Sequence, residues 1–100
     1  PRAARAGAWH FTHAGLDPSR GMGDQNRASV TWGAAGDLTE PDGPNVSERL
    51  VFGHFHGASA RSRATVFCLD THAHATGRLA ALRVTPFQPA SQPRTLTVTI

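Results

Sequence analysis

The sequence predicts an α/β fold that is β-rich within this chain, and three observations carry the prediction. The apolar run Leu50-Val51-Phe52 stops abruptly in Gly53-His54-Phe55-His56-Gly57, the pattern of a strand that delivers side chains to the end of a sheet. Residues 77–84 and 94–99 alternate with the period of two that a strand imposes on its side chains. Between the first aromatic segment and Leu50 lies a long polar stretch with room for only a short helix.

In chain order, residues 1–7 form an Ala/Arg segment with no start signal, and Trp9 to Thr12 reads as a short strand ending in His13-Ala14-Gly15-Leu16-Asp17-Pro18. Residues 19–48 are rich in Gly, Asp, Asn and Pro. A loop of that length inside a compact domain is expected to be functional or partly helical. One or two helical turns are expected over 24–32, with Asp24 as the cap. Strands are then expected at 50–53, 64–69, 77–84 and 94–99. In the third of these, Leu79, Ala81 and Arg83 share one face, and Ala80, Leu82 and Val84 the other. Alternation of Thr with Leu, Val and Ile over 95–100 is a half-buried pattern. Pro86, Pro89 and Pro93 make 86–93 a connection.

With 100 residues the chain is one small domain or part of a larger one. All ten basic residues are Arg, and the formal charge is +3. The arginines are scattered rather than gathered into the stripe of a nucleic-acid binder, so a nucleic-acid partner is not expected. Cys68 is the single cysteine, which excludes an internal disulfide framework; it lies in an apolar run and reads as a buried, inert thiol. No stretch approaches the roughly 20 apolar residues that span a bilayer, and no apolar signal-peptide core is present. A cytoplasmic setting without a membrane partner is the expectation.

The chemistry-bearing residues are six histidines in three close pairs: His10 and His13, His54 and His56, His72 and His74. On an extended backbone His54 and His56, two apart, would point to one side, which suits two ligands for one metal or for adjacent metals. Neutral imidazole is a common ligand for Zn, Fe, Mn and Ni. A single histidine beside glycine more often serves a surface or hydrogen-bonding role, so both readings stay open for this pair. His10 reads as structural or exposed, and His72 and His74 as loop residues. Zinc-finger spacing, a G-x-S-x-G elbow and a P-loop are all absent from the sequence.

The order of these segments resembles the C-terminal half of calcineurin-like metallophosphoesterases, of the serine/threonine-phosphatase-like or diadenosine-tetraphosphatase-like kind. Phe11-Thr12-His13-Ala14-Gly15-Leu16-Asp17-Pro18 looks like the family's "HAGL.P" element, and Leu50-Val51-Phe52-Gly53-His54 like its "V.GH" element. Leu69-Asp70-Thr71, followed by 73–84, resembles the closing "LDTG…GRLTALRL" hairpin. The resemblance covers roughly 9–85. It implies that residues 1–85 are the C-terminal part of a metallophosphoesterase domain, a β-sandwich flanked by helices, with 86–100 a Pro-rich connection and terminal strand.

Residue by residue, the resemblance assigns His13 and His54 as histidine ligands of the second metal. His56 matches the second histidine of the "GHxH" variant, which reaches the first. Two imidazoles sharing a metal are expected within about 8 Å of each other, given Zn–N bonds of roughly 2 Å. The implied cofactors are two divalent transition metals (Mn, Fe, Zn or Co). The implied reaction is hydrolysis of a phosphate ester, a phosphoprotein or a dinucleoside polyphosphate, by a metal-activated hydroxide. Two departures qualify this. His72 stands where the family has glycine. The early GD-x-H, GD-x-x-D-R-G and GN-H-E/D motifs are absent; the Asp-x-His spacing occurs once, at Asp70 and His72, without the preceding glycine. The chain alone is therefore expected to be inactive and to need a complementary N-terminal segment carrying the remaining ligands. The alternative is a degenerate, non-catalytic half retained as a scaffold or assembly subunit. An unrelated small β-sandwich or barrel holding one metal on His54 and His56 is a further alternative, weakened because no acidic residue follows His56 until Asp70.

Overall fold

Leu50, Val51 and Phe52 are all buried, as a strand with parallel neighbours on both sides requires, because both of its faces are covered. The computed structural model describes residues 3–84 and 94–99. In chain order these hold β1 (Ala3–Ala6), β2 (Trp9–Thr12), a 3-10 turn (Met22–Asp24), α1 (Arg27–Trp32), β3 (Arg49–Phe52), β4 (Arg61–Arg63), β5 (Val66–Cys68), α2 (Ala73–Thr76), β6 (Arg78–Arg83) and β7 (Arg94–Thr99). The result is a small, strand-rich mixed α/β domain. A five-stranded sheet has the order β1-β2-β3-β5-β4, and β6 and β7 pair separately.

Strands β2, β3 and β5 run parallel, in the register His10↔Leu50↔Val66 and Phe11↔Val51↔Phe67. One face of this trio carries Leu50, Phe52, Val66 and Cys68, which form the core with Leu16 and Leu38 from the connecting segments. On the other face Trp9 packs its ring 5.7 Å from that of Phe67, and the Arg49 guanidinium lies 5.6 Å from the Trp9 ring centroid.

The edges depart from the sequence expectations. The 1–7 segment contains β1, an exposed edge strand; it pairs antiparallel with β2 through a two-residue turn and so needs no apolar alternation of its own. The expected strand at 64–69 contracts to β5, because Ala64 takes a positive φ of 51° in the turn that joins it to β4. The Arg-Ser-Arg sequence of β4 gave no sign of a strand. Asn26, not Asp24, caps α1: its extended backbone frees the side chain to accept the Ser29 N–H at 2.9 Å. Along 79–84, Ala80, Leu82 and Val84 are half-buried while Leu79, Ala81 and Arg83 are exposed, the two faces expected. The 86–93 connection, and the half-buried pattern expected for the side chains of 95–100, lie outside the described residues.

The long segment before β3 is ordered by side chains bonding to backbone, some nearby and some far along the chain. Gln25 donates to the carbonyls of Asp17 and Arg20 at 2.9 and 3.0 Å, and its carbonyl accepts the Asp17 N–H. Arg63 donates to the carbonyls of Leu38 and Pro44, and Thr65 to that of Val46 at 2.8 Å. Among the described residues no helix is long and apolar enough to cross a membrane.

Candidate metal centre

Parallel strands end together, and this decides where the histidines gather. The carboxyl ends of β2, β3 and β5 lie at one edge of the sheet, and the residues that follow them are His13, then Gly53 to Gly57, then Asp70 to His74. Open α/β sheets commonly bind ligands outside the carboxyl ends of their strands.

His13 leaves β2 in a tight turn. Thr12 Oγ1 accepts the Gly15 N–H at 2.9 Å and donates to the Gly15 carbonyl at 2.8 Å. The Gly53 N–H donates to the His13 carbonyl at 2.8 Å, which ties the two histidine loops together. His54 then sits at the centre of a three-residue turn: the Phe55 N–H donates to the Gly53 carbonyl at 2.9 Å, and His54 φ is 71°. A γ-turn of positive φ is rare and strained, and an outlier of this kind points to function. The turn aims the half-buried His54 at the exposed His13. His54 Nδ1 and His13 Nε2 stand 3.3 Å apart, and the rings meet edge to face, 5.2 Å between centroids.

Phe55 backs this arrangement. Its ring lies edge-on to His54 at 5.2 Å and to Phe52 at 6.2 Å, and it presses on Gly33, where a Cβ would fall 2.4 Å from Phe55 Cζ. Gly33 also ends α1 in the left-handed conformation, so two separate demands require glycine there. Gly53, by contrast, has ordinary room for a Cβ. At Gly57 a Cβ would overlap the Arg61 guanidinium.

His56 does not join the His13–His54 pair. The expectation that His54 and His56 point to one side assumed extended backbone, and the positive φ of His54 breaks it. The exposed His56 instead sets Nδ1 3.1 Å from Asp70 Oδ1 and stacks on His72, 4.2 Å between centroids and 19° from parallel. His74 meets the edge of this stack at 4.3 Å from His72. The same Asp70 oxygen accepts the His72 N–H at 2.9 Å. His72 takes φ 54°, where the resembled motif has glycine.

Arg61 is the support that sequence reading missed. From β4 its guanidinium donates to the Phe55 carbonyl at 2.6 Å and to Asp37 Oδ2 at 3.2 Å, and lies 3.1 Å from Cys68 Sγ. It therefore joins the histidine turn, the 37–39 loop and the end of β5. Burial works against the Asp37 carboxylate, but hydrogen bonds from the Thr39 side chain and N–H and from Arg61 outweigh it and hold the carboxyl below its usual range. Asp70 is likewise held low: burial opposes its ionisation, and bonds from the His56 ring and the His72 N–H prevail. Burial pushes the Cys68 thiol up, in keeping with an inert role. His10 lies within β2, away from the sheet end.

The His13–His54 geometry fits a metal. Two nitrogens bound to one tetrahedral ion at about 2.0–2.1 Å stand about 3.3–3.4 Å apart, the separation observed. Among the described residues no group of three or more His, Cys, Asp or Glu side chains is arranged to hold an ion, so further ligands would have to come from water, substrate or another segment. Comparisons with protein-family models, with curated proteins and with solved structures find no match for this chain.

Proposed function

We propose that this chain is one part of a metal-dependent phosphoesterase of the calcineurin-like kind, contributing one half of a two-sheet sandwich and the pair His13 and His54 as ligands of one divalent metal. The observation that carries this reading is the 3.3 Å separation of His54 Nδ1 and His13 Nε2 at the shared end of parallel strands. His54 would bind through Nδ1 and His13 through Nε2, and His56 would offer its outward nitrogen to a neighbouring ion. Bound divalent metals would supply Lewis-acid activation of a phosphate ester, a phosphoprotein or a dinucleoside polyphosphate. The chain's own part is to hold the two imidazoles in register, through the Gly53–His13 backbone bond and the Phe55 buttress. A complementary segment supplies the remaining carboxylate and amide ligands.

The second reading, a non-catalytic half serving as a scaffold, is favoured by one observation: only two ring nitrogens converge among the described residues. Metal analysis of natively purified material, with the intact mass of everything that co-purifies, separates the two. Two transition metals together with a polypeptide carrying GD-x-H and GN-H motifs support the enzyme. A metal-free chain with no such companion supports the scaffold. Alone with Mn2+ the chain is expected to hydrolyse p-nitrophenyl phosphate negligibly; a rate within about tenfold of ordinary phosphatase turnover would contradict its dependence on a complement.

A further inference from the structure

The second histidine group has a different organisation from the first. His56 and His72 stack face to face and His74 meets His72 edge-on, and no pair of their ring nitrogens is brought together as those of His13 and His54 are. What is fixed is one ring. A carboxylate only accepts hydrogen bonds, so at 3.1 Å from Asp70 Oδ1 the His56 Nδ1 carries the proton. That leaves Nε2 as the nitrogen of His56 with a free lone pair. His72 stacks along the same ring, and its N–H donates to the same Asp70 oxygen at 2.9 Å.

This double use of one oxygen gives a physical reason for the backbone of His72. A residue with a Cβ is disfavoured at φ 54°, yet here that conformation lets one residue both stack on His56 and bond its carboxylate. Asp70 is in turn anchored from below, where Arg61 Nη1 donates to its carbonyl at 3.5 Å. Side chain and backbone of 70–72 thus form a bracket around one imidazole. Histidines that ligate metals commonly donate their other ring N–H to a carboxylate, which sets tautomer and orientation.

We propose that Asp70 is a positioning residue that locks His56 in the Nδ1–H tautomer and presents its Nε2 to a divalent cation, with His72 bracing the ring. The cation half of this assignment rests on the metal-site reading above; the tautomer half does not. No hydrogen bond or ring contact joins Asp70 or His72 to the His13–His54 pair, so the two assignments can be tested separately in one sample.

The test is long-range 1H–15N NMR of the imidazole nitrogens in the full chain, first metal-free and then titrated with Zn2+. Metal-free His56 is expected in the Nδ1–H form, the tautomer that free histidine disfavours. Asp70→Ala should return it to the Nε2–H form and weaken Zn2+ binding at His56 by about 10–100-fold. Asp70→Asn retains an acceptor oxygen and should keep the tautomer, which guards against a variant that fails to fold. An Nε2–H tautomer in the unaltered chain, or one indifferent to Asp70→Ala, overturns the proposal. A correct tautomer with Zn2+ shifting only His13 and His54 overturns the cation role and leaves the metal pair standing. Zn2+ shifting His56 alone supports Asp70's role and defeats the pair.

Discussion

His54 occupies a backbone conformation that costs a residue with a Cβ about 1–3 kcal/mol, and the surroundings hold it there through three contacts: His13, Phe55 and the Gly53–Phe55 turn. If the strain serves the imidazole pair, removing the side chain should relieve it. His54→Gly is expected to raise folding stability by up to about 1 kcal/mol in urea titration while abolishing any metal response of His13. Unchanged metal binding in that variant would show that His54 is no ligand. At this scale the sequence was informative about identity and silent about direction. His54 stood out at the end of an apolar strand, whereas His13 was singled out only by the family resemblance; the structure brings their ring nitrogens to 3.3 Å. The separation of His56 was not legible, because it depends on a turn conformation that no residue type advertises. Asp70 stood in the sequence only in the hairpin motif and the Asp-x-His spacing, and its bond to the His56 ring is visible only in the structure.

Elements with buried apolar runs were legible, and those held by side-chain bonds to backbone were not. Strands β3 and β5 were expected nearly at their observed positions because Leu50, Phe52, Val66 and Cys68 must leave water together. Leu50→Ala should cost about 2–5 kcal/mol in denaturant unfolding, since Leu50 is fully buried in the strand that carries His54. By contrast β4 and the segment over 19–48 leave no periodic trace. They are fixed by Arg61 and Arg63, which reach Asp37 and Leu38, 24 and 25 residues away, and by Gln25, which bonds back to Asp17 and Arg20 without any periodic pattern. Helix α1 is similarly tied to the site through its end. Gly33→Ala would force the Phe55 ring to move and strain the cap, at a cost of about 1–3 kcal/mol. It should also weaken metal binding at His54 without touching it, which a titration of the variant would reveal. Retention of full affinity would remove Phe55 from the positioning argument.

Across the whole molecule, three parallel strands ending at one edge turn scattered sequence positions into a single face. Two ionised carboxylates, Asp37 and Asp70, stabilise that face from below and beside it. Because both are held under their usual range, the unfolded chain binds more protons than the folded one in acid. Stability from this source is therefore fully present above about pH 4, the unfolded carboxylate value, and is lost as pH falls through the lower folded values. Asp37→Asn should flatten the acid limb of a stability–pH curve and cost about 1–3 kcal/mol at neutral pH, the scale of a hydrogen bond to a charged group. An acid limb identical to that of the unaltered chain would place the carboxylate effect elsewhere.

The most direct measurement is a Zn2+ titration of the full chain followed through the ring nitrogens of His13 and His54, repeated on His54→Ala. One equivalent of metal should shift His54 Nδ1 and His13 Nε2 together, and His54→Ala should weaken the response at His13 by more than about tenfold. If the two rings respond independently, or neither responds, the 3.3 Å pair is a hydrogen bond between surface histidines and the metal centre does not exist.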